Sequence, residues 1–168
     1  ECLHCQKAKI TRHTVPPIGD FAIPSRRFEH VHLDIVTLPY LNGFRYLLTA
    51  VDRFTRWPMA IPIVDMTATS VIDAFVFGWI QYFGVPSTVT TDQGTQFLSA
   101  LFQQLVRTWG ITSITTTPYH PEANGMVERL HRRLKESLMA LGAEEQDKWF
   151  WKLPMAMLAI RTTVKPDI

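Results

Sequence analysis

Three acids, Asp34, Asp92 and Glu128, each fall at the end or on the polar face of an expected element, beside glycine or polar loops rather than on a helix rich in counter-charges. Divalent ions such as Mg²⁺ or Mn²⁺ prefer hard oxygen ligands and retain waters, so carboxylates converging at strand ends can hold two ions across a phosphodiester. Such a pair lowers the pKa of a water or 3′-hydroxyl nucleophile and stabilises the leaving oxygen during in-line displacement at phosphorus. The chemistry on offer is phosphoryl transfer without a covalent enzyme intermediate.

The elements that would position these acids follow from periodicity. Val31, Leu33 and Ile35 alternate with His32 and Asp34, the period-2 signature of a strand with one buried face, and Asp34 falls on the polar one. Asn42-Gly43 is a turn dipeptide joining that strand to Tyr46–Val51, and Trp57–Val64 supplies a third strand in hairpin order. Thr67 is placed to cap a helix whose apolar residues Val71, Phe75, Trp79 and Phe83 recur at helical spacing until Gly84 and Pro86. Thr88–Thr91 predicts a strand ending at Asp92, with Gly94 turning into one helix that runs to Gly110. Ile111–Thr116 is a further strand, Thr117–Gly125 a turn-rich loop, and Met126–Leu141 and Trp149 to about Arg161 are helices. The order predicts an α/β fold: a mixed sheet with antiparallel first three strands and flanking helices.

The chain's 168 residues suit one domain with short extensions. Residues 1–29 mix Lys7, Lys9, Arg12, Arg26 and Arg27 with Pro16, Pro17 and Pro24, the composition of a connector, leaving 30–168 as the core. A net charge of +2 permits a polyanionic partner without requiring one. No apolar run approaches the roughly 18 residues of a membrane helix, so no membrane partner is expected. The first residue is Glu, no leader precedes the first motif, and the chain reads as a piece of a longer one. Its two cysteines, Cys2 and Cys5, are spaced for half of a zinc site, although two unpaired thiols fit equally well. An intracellular, reducing setting is expected.

The flanks of the acids carry a resemblance. Val51–Pro58, Phe83–Pro86, Thr91–Phe97 and Tyr119–Arg129, continued by Trp149, Leu153-Pro154 and Ala159–Thr162, resemble the integrases of gypsy-type (Metaviridae) long-terminal-repeat retrotransposons, relatives of retroviral integrases. The likeness covers nearly the whole chain. In that family two aspartates and a glutamate bind the metals, with 35 residues between the second and third, and Asp92 and Glu128 reproduce that spacing. The first acid maps to Asp34.

The resemblance implies an RNase H-like fold and a polynucleotidyl transferase of the DDE type. Such an enzyme trims the 3′ ends of element DNA and joins them to target DNA. It further implies two Mg²⁺ or Mn²⁺ ions, a homo-oligomer, origin in a Pol polyprotein, and action in the nucleus after passage in a cytoplasmic particle. Cys2 and Cys5 resemble the closing pair of the family's zinc-binding N-terminal domain, so Zn²⁺ is expected only with two upstream histidines. Glu122, Ala123 and His131 depart from the family, which has Gln, Thr and often Asn there.

Two further readings concern DNA. Glu128, Arg132 and Lys135 share one helix face, which is either a solvated face laced by Glu–Arg attraction or a contact with DNA phosphates beside the metal site. Asn124 and Gly125, read as loop residues, are either ordinary turn residues or a polar side chain and a permissive backbone that meet DNA near the scissile bond. A non-catalytic DNA-binding descendant and a purely hydrolytic RNase H-type nuclease are the competing functions. Finally, Trp149–Ile160 carries more large apolar side chains than one buried stripe needs, which predicts a surface for a second subunit.

Overall fold

The computed structural model describes residues 24–116, 121–141 and 148–163. Cys2, Cys5 and most of the connector lie outside them. Five strands form one sheet in the order β3-β2-β1-β4-β5. These are β1 (His30–Leu41), β2 (Phe44–Asp52), β3 (Pro58–Ile63), β4 (Thr88–Thr91) and β5 (Thr112–Thr115). The first three are antiparallel, as the hairpin signals predict, while β4 and β5 run parallel to β1 after helical crossovers.

Helix α1 (Ala68–Phe75) opens at Thr67, whose hydroxyl accepts from Ser70 N at 3.3 Å. It widens into a π-helical turn over Val76–Ile80 and ends in α2 (Gln81–Phe83). Then come α3 (Thr95–Leu98), α4 (Ala100–Thr108), α5 (Pro121–Ala140) and α6 (Trp149–Thr162). Among the described residues no helix is long and apolar enough to cross a membrane.

The sheet is covered on both faces. Val31, Leu33, Leu48 and Ala50 pack with Phe75, Trp79, Phe97 and Phe102 on one side. Val36, Leu47 and Val51 pack on the other against Leu130, Leu134 and Leu138 of α5 and Trp149, Leu153 and Met157 of α6. The polar face of β1 is therefore not a solvent face: α5 lies over it, and His32 is only 3% exposed. Alternation in the sequence identified the two faces but could not show that both are covered.

Two other expectations are corrected. The helix expected from Gly94 to Gly110 is two helices, because Ser99 takes an extended conformation with ψ 147° and uses its hydroxyl to cap α4, accepting from Phe102 N at 3.2 Å. Local side-chain capping outcompetes continuation there. The loop expected to reach Gly125 is helical from Pro121, which has no N–H to lose and a φ suited to a first turn. Asn124 and Gly125 thus belong to α5.

Candidate active site

Register brings the first two acids together. The parallel pairing of β1 with β4 runs His30–Thr88, Val31–Val89 and His32–Thr90. Asp34 and Asp92 each lie two residues beyond the last pair, so side-chain alternation carries them to the same face as His32 and Thr90. The third acid arrives on α5: Val127 buries against the sheet and the next residue, Glu128, is exposed at its edge. All three carboxylates line one open cavity of about 190 Å³, together with His32, Thr90 and Thr116.

Each acid is held differently. Asp34 Oδ1 accepts from Ile35 N at 2.7 Å, and its main-chain carbonyl accepts from the Thr49 hydroxyl at 3.0 Å. Thr49 stands directly opposite on β2. Asp92 is exposed, with Oδ1 accepting from Gly94 N at 2.9 Å, the Asx turn that leads out of β4. A Cβ on Gly94 would crowd the side-chain amide of Gln96 and come within 2.9 Å of that oxygen.

Burial pushes the Asp34 carboxyl up to about 6, and the negative charges of Asp92 and Glu128 add to the rise against the opposing Ile35 N–H. The three acids therefore feel one another across the cavity. Among the described residues no three His, Cys, Asp or Glu side chains form a closed ligand cluster. Three hard carboxylates around one pocket nonetheless form a donor set suited to Mg²⁺ or Mn²⁺.

His131, three residues after Glu128, reaches the same site. Its Nε2 is 3.0 Å from the Thr49 hydroxyl and its Nδ1 is 3.9 Å from Asp34 Oδ2. Burial, with a smaller push from Lys135, lowers its pKa to about 4. The sequence marks the departure at His131 but not its contact with Asp34, and it places His32 and Thr49 in strands without pointing either to the site. The signal for His32 was present: it lies two residues before Asp34 on the same strand face.

Arg132 and Lys135 are exposed along α5 beside Glu128. The expected Glu–Arg attraction joins Arg132 to Glu136, with Nε 4.0 Å from Oε1, rather than to Glu128. Gly125 lies in the helix, and Cys2 and Cys5 fall outside the described residues.

A mixed five-stranded sheet with flanking helices is the arrangement that comparison with known proteins recovers. Residues 24–121 match the family model "Integrase core domain", and the chain belongs to that family. The match ends before Glu128, whose place in the site rests on the cavity. Curated relatives include the Gag-Pol polyprotein of walleye dermal sarcoma virus, 34% identical over 88% of this chain and 8% of that protein. The Pro-Pol polyprotein of simian foamy virus type 3 is 29% identical over 99% of this chain and 14% of its own length. The chain thus spans a small fraction of these polyproteins.

Among solved structures, the integrase catalytic core of HTLV-2 in complex with magnesium, in its dimeric form, is similar with a TM-score of 0.68 and 21% identity over 83% of this chain and 91% of that one. The simian T-cell lymphotropic virus intasome in complex with a PP2A regulatory subunit gives a TM-score of 0.76 and 24% identity, covering 97% of this chain and 58% of that one. The fold is accordingly the RNase H-like fold of integrase catalytic cores.

Proposed function

We propose that this chain is the catalytic core of a gypsy-type long-terminal-repeat retrotransposon integrase, a polynucleotidyl transferase that processes the 3′ ends of element DNA and transfers them to target DNA. The observation that carries this reading is the convergence of Asp34, Asp92 and Glu128 on one cavity, with the ionisation of Asp34 opposed by burial first and by the other two acids after it.

Asp34, Asp92 and Glu128 would hold two Mg²⁺ or Mn²⁺ ions, which when bound supply charge stabilisation and an activated oxygen nucleophile for in-line displacement. The residues set the geometry of that reaction. β1 holds Asp34 rigidly through Ile35 N and Thr49, the Asx turn aims Asp92, and α5 presents Glu128 from a packed helix. Arg132 and Lys135 would grip phosphates beside the scissile bond, and Asn124 and Gly125 would approach the DNA from the first turns of α5. Concerted joining of two element ends calls for at least a dimer. The exposed side chains of Trp151, Met155 and Leu158, at i, i+4 and i+7 on α6, offer it an apolar stripe.

In the full-length protein, residues 1–29 would close a zinc domain through Cys2 and Cys5 and link it to the core at 30–168. The protein would travel in a cytoplasmic particle as part of a Pol polyprotein and act in the nucleus. Strand transfer on a short duplex in Mg²⁺ or Mn²⁺ is the test. The wild type should join DNA ends and Glu128→Gln should lose roughly a hundredfold or more, the scale of removing one charge-stabilising group. Hydrolysis without joining would mark an RNase H-type nuclease, and DNA binding without either reaction a non-catalytic descendant.

A further inference from the structure

A second cavity, of about 60 Å³, lies on the other flank of α5. Val127 and Glu128 line the carboxylate pocket, whereas Met126, Arg129, Leu130 and Arg133 line this one. Val51, Pro58 and Ile160 complete an apolar floor, and Arg56 comes in from the turn between β2 and β3. Three guanidinium groups therefore surround one apolar hollow with no carboxylate in its lining. Arg129 and Arg133 are exposed, and neither is paired with a carboxylate among the described residues.

Two local features indicate that the arrangement is built. Arg56 has φ +59°, a left-handed conformation that glycine adopts freely and other residues at a cost. The turn is fixed by buried Asp52, which accepts from Thr55 N at 2.7 Å, the Thr55 hydroxyl at 2.6 Å and Phe28 N at 3.0 Å. What arginine supplies there is its head group, with Nη1 donating to Arg53 O at 2.7 Å and lying 3.0 Å from Met126 Sδ of α5. On α5, Gly125 occupies a helical position that alanine would favour on propensity alone. A Cβ at Gly125 would come within 3.3 Å of Arg129 Nη1, so the glycine leaves space for that guanidinium to lie back along the helix.

We propose that this hollow binds a DNA phosphodiester, with Arg129 and Arg133 gripping its oxygens beside Arg56 and the apolar floor receiving the adjoining sugar. Guanidinium forks match phosphate oxygens in pairs, and an apolar floor that excludes water strengthens the interaction. DNA is favoured over an acidic peptide because the hollow and the carboxylate pocket lie on the two flanks of α5, close enough for a duplex reacting at the carboxylates to reach across that helix. The inference rests on the proposed integrase reading in that respect and adds a second anchoring point for its DNA.

The test is binding of a fluorescent duplex to the full chain in EDTA, across a salt series, for the wild type, Arg129→Gln/Arg133→Gln and Arg133→Lys. The double variant should bind several-fold more weakly whatever the DNA sequence, and its slope of log affinity against log salt should fall by about 0.9 for each phosphate that is no longer neutralised. Arg133→Lys, which keeps the charge, should keep the slope. An unchanged slope in a double variant that melts like the wild type would overturn the proposal, as would weakened capture of an acidic peptide with DNA binding intact. Because binding is read without metal, the two readings fail separately. Strand transfer with an unchanged slope sinks only this hollow, and a reduced slope in a protein that never joins DNA sinks only the integrase reading.

Discussion

His131 presents a lone pair, not a proton, to the carboxylate of Asp34. The single hydroxyl proton of Thr49 is donated to the Asp34 carbonyl at 3.0 Å, so the 3.0 Å approach of that hydroxyl to His131 Nε2 requires Nε2–H as donor. With its pKa lowered to about 4, the ring is neutral near pH 7 and Nδ1 carries no proton. At 3.9 Å from Asp34 Oδ2, Nδ1 forms no salt bridge and offers the ionised carboxylate no relief.

Asp34 should accordingly destabilise the metal-free protein when ionised. Its folded pKa of about 6 stands above the ordinary aspartate value of 3.8. Between those values the folded state keeps a proton that the unfolded state has released, so stability falls as pH rises through that window and stays reduced above it. Asp34→Asn, whose amide oxygen can still accept from Ile35 N, should raise stability at pH 7. The gain should be on the order of 1–2 kcal/mol, discounted because the side chain is 33% exposed. It should vanish below about pH 4. Thermal melts in EDTA at pH 7 and pH 4 check this, and an equal gain at both would point to a cause other than charge.

The buried histidines act in the opposite direction. Burial first, with neighbouring cationic groups second, lowers His30 and His131 to about 4 and His32 to about 3. Below pH 6.5 the unfolded chain takes up protons that the folded state refuses, so stability is lost as pH falls. Three such groups outweigh the single proton kept by Asp34, and the net loss near pH 5 should be roughly 1–3 kcal/mol per pH unit. Urea unfolding at pH 7, 6 and 5 measures it. His32→Gln should flatten the slope.

Gly125→Ala should separate stability from DNA affinity. The added methyl favours the helix by about 1 kcal/mol, yet it crowds Arg129 Nη1 at 3.3 Å. A higher melting temperature combined with weaker duplex binding is the expected pair of results. Higher melting with unaltered binding would show that Arg129 can leave Gly125 at no cost to its grip on DNA.

The α6 stripe predicts self-association. Trp151 is 69% exposed, so Trp151→Glu should keep the melting temperature within about 1 °C while shifting light scattering from dimer to monomer across a concentration series. A wild type that stays monomeric at high concentration would remove this face from consideration.

Much of the architecture is legible in the sequence because it is written in periodicity and local chemistry. Thr67, Gly84 and Gly110 mark helix ends that the structure retains, and the hairpin order of the first three strands follows from Asn42-Gly43 and alternation. Asp34 stands out on the polar face of its strand, Asp92 just past the end of its own and Glu128 beside a glycine and polar residues, and the three meet in one cavity. What cannot be read is contact between distant elements. Nothing in the spacing shows that α5 covers the polar face of β1, which makes buried His32 and Thr49 and half-buried His131 neighbours of Asp34. The Ser99 break is hidden because the apolar pattern continues through it, and Gly125 reads as a loop residue because its packing reason is a side chain one turn later.

Trp149 at the start of α6 donates its indole N–H to Pro39 O at 2.7 Å. Pro39 lies on β1, five residues beyond Asp34, so one strand segment of roughly 17 Å joins the carboxylate to the foot of the helix that carries the exposed apolar stripe. That hydrogen bond makes the foot of α6 and the strand of Asp34 neighbours through one stretch of backbone, whose pairing with β2 shifts register between Thr37 and Leu41.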